Sequence, residues 1–229
     1  MTPSHRCKAF LFDMDGVLVD SRAVVERTWQ RWAAERHPID LVKLLHVAHG
    51  RKARDTLQIM APSLATDEEV AWLDATELAD VEGLRVLPGA KELVTALPRD
   101  RWAIVTSCGR DLARLRLSSA GVPEPDVLVV AGDVKRGKPA PDGYRLGAER
   151  LGFEPRDCIV FEDAPAGVAA GKAAGARVLG LTTNYAAADL QEADATIADL
   201  GSIVVRADRD AFVVTGLGIR RTNVDRSSP

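Results

Sequence analysis

Cysteine is scarce in this chain, which has three, at positions 7, 108 and 158. An odd count at such wide spacing supports neither a disulfide framework nor a zinc knuckle. Long apolar runs are missing, and none approaches the roughly 20 residues that a membrane-spanning helix needs. The opening Met1-Thr2-Pro3-Ser4-His5-Arg6 lacks the apolar stretch of a secretory signal, so the expected compartment is the cytoplasm. No excess of charge of either sign exists: 30 lysines and arginines stand against 33 acids, a net charge of −3. That balance makes no case for nucleic acid, an anionic membrane or a basic partner. What remains, 229 residues of which 46% are hydrophobic, is enough for one sizeable domain and a smaller insertion.

The most informative stretch lies near the N-terminus. Ala9-Phe10-Leu11-Phe12 runs straight into Asp13-Met14-Asp15-Gly16-Val17. Four apolar residues followed by acid and glycine read as a buried strand that ends abruptly in a polar turn. Two carboxylates one residue apart at the mouth of such a strand repel each other and lose hydration. A metal ion between them is the simplest remedy. The pair then suits phosphate chemistry, with one carboxylate as nucleophile and the other as proton carrier.

Residues 22 to about 82 read as helical throughout. Val24, Val25, Trp29 and Trp32 recur at three-to-four-residue spacing, as do Leu41, Leu44 and Leu45. Thr66-Asp67-Glu68-Glu69 carries a capping-box pattern. Leu87-Pro88-Gly89 punctuates the chain, and from residue 90 helices alternate with short apolar runs rich in β-branched residues. Those runs are 103–105, 127–130, 159–161 and 177–181, with a further short one at 195–197. Near-continuous apolar strands separated by helices indicate a parallel sheet covered on both faces. Residues 1–20 supply its first strand, which makes the helical block an insertion. The expected division is 1–20 plus 87–215 as an α/β core, 21–86 as a helical domain and 216–229 as a mobile tail. Residues 208–214 are expected to form one more strand.

Open parallel sheets bind ligands beyond the carboxyl ends of their strands. The polar residues that follow each apolar run should therefore meet: Asp13 and Asp15, Thr106 and Ser107, Lys138, and Glu162 with Asp163. Acids, hydroxyls and one cation at strand ends make a phosphate and magnesium kit.

Four segments carry a family resemblance. Phe12 to Ser21, Val105-Thr106-Ser107, Lys135 to Pro139 and Phe161 to Gly167 resemble the four motifs of the haloacid dehalogenase superfamily, in its order and with room for its helical cap between the first and second. The match spans roughly residues 8 to 200, and within the superfamily the chain is similar to the sugar-phosphate phosphatases of the β-phosphoglucomutase-like group. The resemblance implies a Rossmann-like doubly wound α/β core with an inserted all-helical cap. It implies that Asp13 is the nucleophile and Asp15 the general acid and base. It further implies that Mg²⁺ is held by Asp13, Asp15 through its backbone carbonyl, and Asp163, with Glu162 acting through water or through Asp163. Thr106, Ser107 and Lys138 would hold the phosphoryl oxygens.

The implied activity is hydrolysis of a small sugar or polyol phosphate, with a sugar phosphomutase as the alternative and a non-catalytic phosphosugar binder as a remote one; the expected state is a monomer. Ala53 and Val25 stand where the mutases carry an arginine and a histidine, which favours plain hydrolysis. In the cap, His49, Gly50, Arg51 and Arg54 are candidates for facing the substrate. Cys108 to Arg114 satisfies the Cys-x5-Arg spacing of cysteine phosphatases, but Asp111 and Leu112 inside the loop would resist an anion. Gly167, Gly171 and Gly175 read as a small-residue face that lets a helix lie close to the sheet.

Overall fold

The computed structural model describes residues 4–36 and 38–216. Strands β1 (His5–Cys7), β2 (Ala9–Phe12) and β3 (Val19–Asp20) come first. Four helices follow, α1 (Arg22–Glu35), α2 (Leu41–Ala48), α3 (Ala53–Met60) and α4 (Asp67–Leu78), before β4 (Arg85–Val86). Helices and strands then alternate through α5 (Ala90–Ala96), β5 (Trp102–Val105), α6 (Arg110–Ala120), β6 (Val127–Val129), α7 (Asp142–Leu151), β7 (Cys158–Glu162), α8 (Pro165–Ala174), β8 (Arg177–Leu181) and β9 (Ala195–Ile197). The hairpin β10 (Ile203–Asp208) and β11 (Ala211–Gly216) completes the described chain.

Six strands form one parallel sheet in the order β6-β5-β2-β7-β8-β9. The chain thus starts in the middle, winds outward to one edge, returns to the centre and winds to the other. Between β2 and β7 the direction of winding reverses, and there the loops beyond the carboxyl ends diverge and leave a crevice. Both strands are buried along their whole length, as near-continuous apolar runs in a covered parallel sheet must be. Phe12 of β2 stacks on Phe161 of β7 with ring centroids 5.0 Å apart. The last residues before Asp13 and Glu162 are therefore locked side by side, and α/β is the architecture.

Buried side chains cover both faces of this sheet. Phe10, Phe12, Trp102 and Phe161 belong to one apolar cluster, and Leu11, Val105, Tyr144 and Val160 to the other. A third cluster belongs to α1–α4 alone, built on Trp29, Trp32, Leu44, Leu57 and Leu73. Its polar keystone is Glu69, which accepts from Trp32 Nε1 at 2.7 Å. The Thr66 hydroxyl caps α4 by accepting from Glu69 N at 3.3 Å, the first half of the expected capping box. Glu69's carboxylate spans α1 and α4 instead of returning to the cap. A two-stranded ribbon, Val19 opposite Val86 and Asp20 opposite Arg85, brings the two ends of the helical segment together.

Three local expectations need correction. The helical stretch 22–82 is four helices with breaks, and it stops at Leu78. The strand expected at 208–214 is a hairpin that turns at Arg209, whose φ is 57°, and pairs with β1 in a separate antiparallel sheet. Gly171 does lie close to the sheet, but Gly175 lies beyond the end of α8 with φ 91° and is its C-cap. Apart from Gly216, the expected mobile tail lies outside the described residues. Among those residues, no helix is long and apolar enough to cross a membrane.

Candidate active site

Asp13 leaves β2 with its N–H still donating to Phe161 O at 2.9 Å, so it emerges against the end of β7. Ligand oxygens of Asp13, Glu162 and Asp163 lie within 4.8 Å of one another, and all three residues are buried. Lys138 faces them: its Nζ lies 2.7 Å from Asp13 Oδ1 and 2.5 Å from Glu162 Oε1. Four groups spread over some 150 positions of sequence therefore converge at the crevice. Strand-end placement in a parallel sheet produces this, and no local contact could.

Burial and mutual repulsion set the electrostatics. Desolvation, with the charges of Glu162 and Asp15, pushes Asp13 up to about 7 in spite of Lys138. Desolvation and the same crowding raise Asp163 well above the usual carboxylate range. Lys138 is burdened by burial, yet the Asp13 and Glu162 carboxylates raise it overall and keep it cationic. Asp163 Oδ2 accepts from Asn184 Nδ2 at 2.6 Å, whereas its buried Oδ1 has no hydrogen-bond partner among the described residues. Three carboxylates against one ammonium, with a buried carboxylate oxygen left unpaired, form an oxygen-rich and negatively charged donor set. It suits a hard divalent cation.

The backbone is shaped to this cluster. Gly16 has φ 79°, and a Cβ there would come within 2.0 Å of Asp163 Oδ2. Glycine is thus required both for the left-handed turn and for the approach of the β2 loop to Asp163. A Cβ on Gly167 would lie 1.8 Å from Glu162 Oε1. Glu162 itself is spent on structure: it accepts from Tyr144 OH at 2.6 Å and from the N–H groups of Asp163 and Ala164 at 3.1 and 3.3 Å.

A cavity of about 520 Å³ opens in front of the acids, between the strand ends and the helical segment. Asp13, Asp15 and Asp163 line one wall; His49, Arg51 and Arg54 line the other. Gly50 belongs to the same wall, and its carbonyl accepts from Ser107 Oγ at 3.0 Å. His49 Nδ1 pairs with Leu45 O at 2.7 Å, and burial lowers its affinity for a proton. Arg54 is held by the Ala65 carbonyl and the Asp67 carboxylate. Thr106 is buried beside the site; its Oγ1 accepts from Cys108 N at 3.3 Å. Neither Thr106 nor Ser107 caps α6, whose N-cap is Gly109.

The surroundings of Cys108 do not favour a nucleophile. Burial first, and then the charge of Asp15, pushes its thiol up to about 12. Arg114 points elsewhere, to Glu124 at 3.0 Å. The Cys-x5-Arg spacing is coincidental.

Three site residues had no place in the sequence reading. Asn184 follows β8, so the strand-end rule extended by one strand would have found it. Tyr144 was hidden in the periodicity of α7. Arg116 interrupts the buried face of α6 formed by Leu112, Ala113 and Leu117, a signal visible as a charge at apolar spacing.

Known proteins match this arrangement. Residues 7–175 match the family of haloacid dehalogenase-like hydrolases. Hexitol phosphatase A of Escherichia coli K12 is 43% identical over 214 residues, which cover 91% of this chain and 99% of that protein. Glycerol-1-phosphate phosphohydrolase 1 of Saccharomyces cerevisiae is 34% identical over 194 residues, covering 80% of this chain and 77% of that one. Among solved structures, a hydrolase from Pseudomonas syringae superposes with a TM-score of 0.75 at 28% identity, over 85% of this chain and 94% of that one. A β-phosphoglucomutase from Clostridium difficile, 22% identical, shares the fold with a TM-score of 0.74 over 85% and 92% of the two chains. The sheet order, the strand-end acids and these matches lead to one conclusion: the chain belongs to the haloacid dehalogenase-like hydrolases.

Proposed function

We propose that this enzyme is a Mg²⁺-dependent phosphatase that hydrolyses small sugar or polyol monophosphates through an aspartyl-phosphate on Asp13. The observation that carries the reading is the convergence of Asp13, Glu162 and Asp163 with Lys138, behind a cavity that Asp13 and Asp163 line. The relatives named for hexitol and glycerol 1-phosphate supply the substrate class. Residues 1–20 with 87–215 act as the core and 21–86 as a cap, a division supported by the separate apolar cluster of α1–α4 and the ribbon at its base.

Mg²⁺ would be held by Asp13, the Asp15 carbonyl and Asp163, and when bound it offsets charge on the phosphoryl oxygens. Asp13 attacks phosphorus while the ester P–O bond breaks, and the departing oxygen takes a proton from Asp15. Water then attacks the aspartyl-phosphate and gives its proton to Asp15, the Asp13–phosphorus bond breaks, and phosphate leaves. Lys138 orients Asp13 and, with Thr106 and Ser107, counters charge on the phosphoryl group. Glu162 holds the Lys138 ammonium and the Asp163 backbone in place. His49, Gly50, Arg51 and Arg54 form the substrate-facing side of the cap. The enzyme works as a cytoplasmic monomer.

Ala53 and Val25, which line the cavity, stand at the two positions where the resemblance gives the mutases an arginine and a histidine, which supports hydrolysis over phosphoryl migration. A phosphate-release screen with Mg²⁺ over hexitol, glycerol, 2-deoxyglucose, glycolate and nucleotide monophosphates tests the reading. Turnover restricted to polyol or sugar esters is expected. Release from none of them refutes it, and conversion of glucose 1-phosphate to glucose 6-phosphate would make the enzyme a mutase.

A further inference from the structure

Arg116 sits on α6, 3% exposed, between two acids from distant parts of the chain. Its Nη1 donates to Asp15 Oδ2 at 2.9 Å, and its Nη2 donates to Glu77 Oε2 at 2.7 Å. Asp15 belongs to the loop after β2, whereas Glu77 stands in the last turn of α4. The other oxygen of Asp15 accepts from Ser21 Oγ at 2.6 Å. Ser21 is the N-cap residue of α1 but makes no side-chain capping bond, because its hydroxyl is committed to Asp15. Arg116 Nε has no hydrogen-bond partner among the described residues. Packing alone would be better served by leucine on this face of α6, since a buried guanidinium is costly to desolvate and its pairing rarely repays the cost in stability. The residue therefore calls for a reason beyond stability.

The two donors on Asp15 supply one. With both oxygens accepting, the carboxylate is fixed in orientation. On the reading above, Asp15 donates a proton in the first half-reaction and accepts one in the second. We propose that Arg116 is a positioning residue that, with Ser21, holds Asp15 as the proton acceptor for the water that cleaves the aspartyl-phosphate, and that Glu77 ties this hold to the placement of α4. In that step the water oxygen bonds to phosphorus, the Asp13–phosphorus bond breaks with its electrons returning to the Asp13 carboxylate, and the water proton passes to Asp15. The inference rests on the phosphatase reading and deepens it by assigning what makes the phosphoenzyme short-lived.

Acetyl phosphate separates the two half-reactions. Its acetate leaves without a proton, so phosphorylation of Asp13 does not draw on Asp15, whereas the water step still does. For Arg116→Gln, kcat is expected to fall about 10–100-fold while kcat/KM changes by less than about threefold, because kcat/KM reports the first irreversible step. Intact-protein mass spectrometry should show phosphorylated protein accumulating in that variant and not in the wild type. Arg116→Lys, which keeps a cation but not the fork, should restore part of kcat, and Glu77→Gln should shift kcat the same way by less. If Arg116→Gln does not fold, the paired change Arg116→Met with Glu77→Met removes the cation and its partner acid together and carries the same readout. Equal falls in kcat and kcat/KM without phosphoprotein would overturn the positioning role. A wild type that releases phosphate from neither acetyl phosphate nor glycerol 1-phosphate would instead refute the phosphatase reading itself.

Discussion

Asp13 lies where burial, like charge and a single lysine balance, so its chemistry is sensitive to small changes. Asp13→Asn keeps the size and much of the hydrogen bonding but is a poor nucleophile. The expected result is loss of phosphate release to background with the folded far-UV and near-UV dichroism intact; wild-type turnover by this variant would exclude Asp13 as the nucleophile. Cys108 provides the opposite kind of control. With Cys7, Cys108 and Cys158 each pushed up to about 12 by burial, the folded protein holds almost no thiolate near neutrality. Alkylation by iodoacetamide at about pH 8 should be roughly 10³-fold slower than in the urea-unfolded chain, since thiolate fraction governs the rate. Cys108→Ser should leave kcat nearly unchanged, and a large loss would reinstate the thiol as a nucleophile.

Elements deliver these side chains, and two predictions belong to them. The β2 loop turns back on the cluster through Gly16, whose φ of 79° and contact with Asp163 leave no space for a methyl group. Gly16→Ala should destabilise the fold by about 1–2 kcal/mol from the left-handed backbone alone, while displacement of Asp163 should depress phosphate release far more than the fall in Tm suggests. Wild-type activity in a destabilised Gly16→Ala would show that the close approach does not shape the site. In the helical segment, Glu69 joins α1 to α4 through the Trp32 indole. Glu69→Ala should cost about 1–3 kcal/mol in urea unfolding by leaving the buried indole N–H unpaired; a loss under about 0.5 kcal/mol would mean that apolar packing around Trp29 and Leu73 suffices.

The whole molecule packs three apolar clusters around a knot of acids that Lys138 only partly offsets, and ion binding should therefore register in global stability. At about 100 times its dissociation constant, Mg²⁺ would add about 2.7 kcal/mol and raise Tm by roughly 5–10 °C, with chelation abolishing both the shift and phosphate release. Asp163→Asn has a distinctive expectation: it removes one of three crowded buried carboxylates, so the metal-free protein should melt higher than wild type while the response to Mg²⁺ disappears. A variant that melts lower and still responds to Mg²⁺ would refute the assignment of Asp163.

The alternation of apolar runs and helices, read without any structure, determined the α/β class and the strands of the parallel sheet, because burial on both faces imposes composition as well as pattern. It also indicated which strand-end groups would meet. A parallel sheet must present at one end whatever follows each strand, which made Asp13, Thr106, Lys138 and Asp163 legible as neighbours. The strand order, and with it the crevice between β2 and β7, came only from tertiary packing. So did the antiparallel pairing of β1 with the terminal hairpin, since the three residues of β1 carry no periodicity to read. Packing alone also decided that Glu162 serves Lys138 and the backbone and that Ser21 abandons its helix cap for Asp15. The same holds for the partners of Arg116, a charge at apolar spacing in α6 that meets Glu77 only when α4 closes over it. Position along the chain reveals which groups strands must carry to an edge; which partners a buried charge meets depends on surfaces that exist only after the layers have packed.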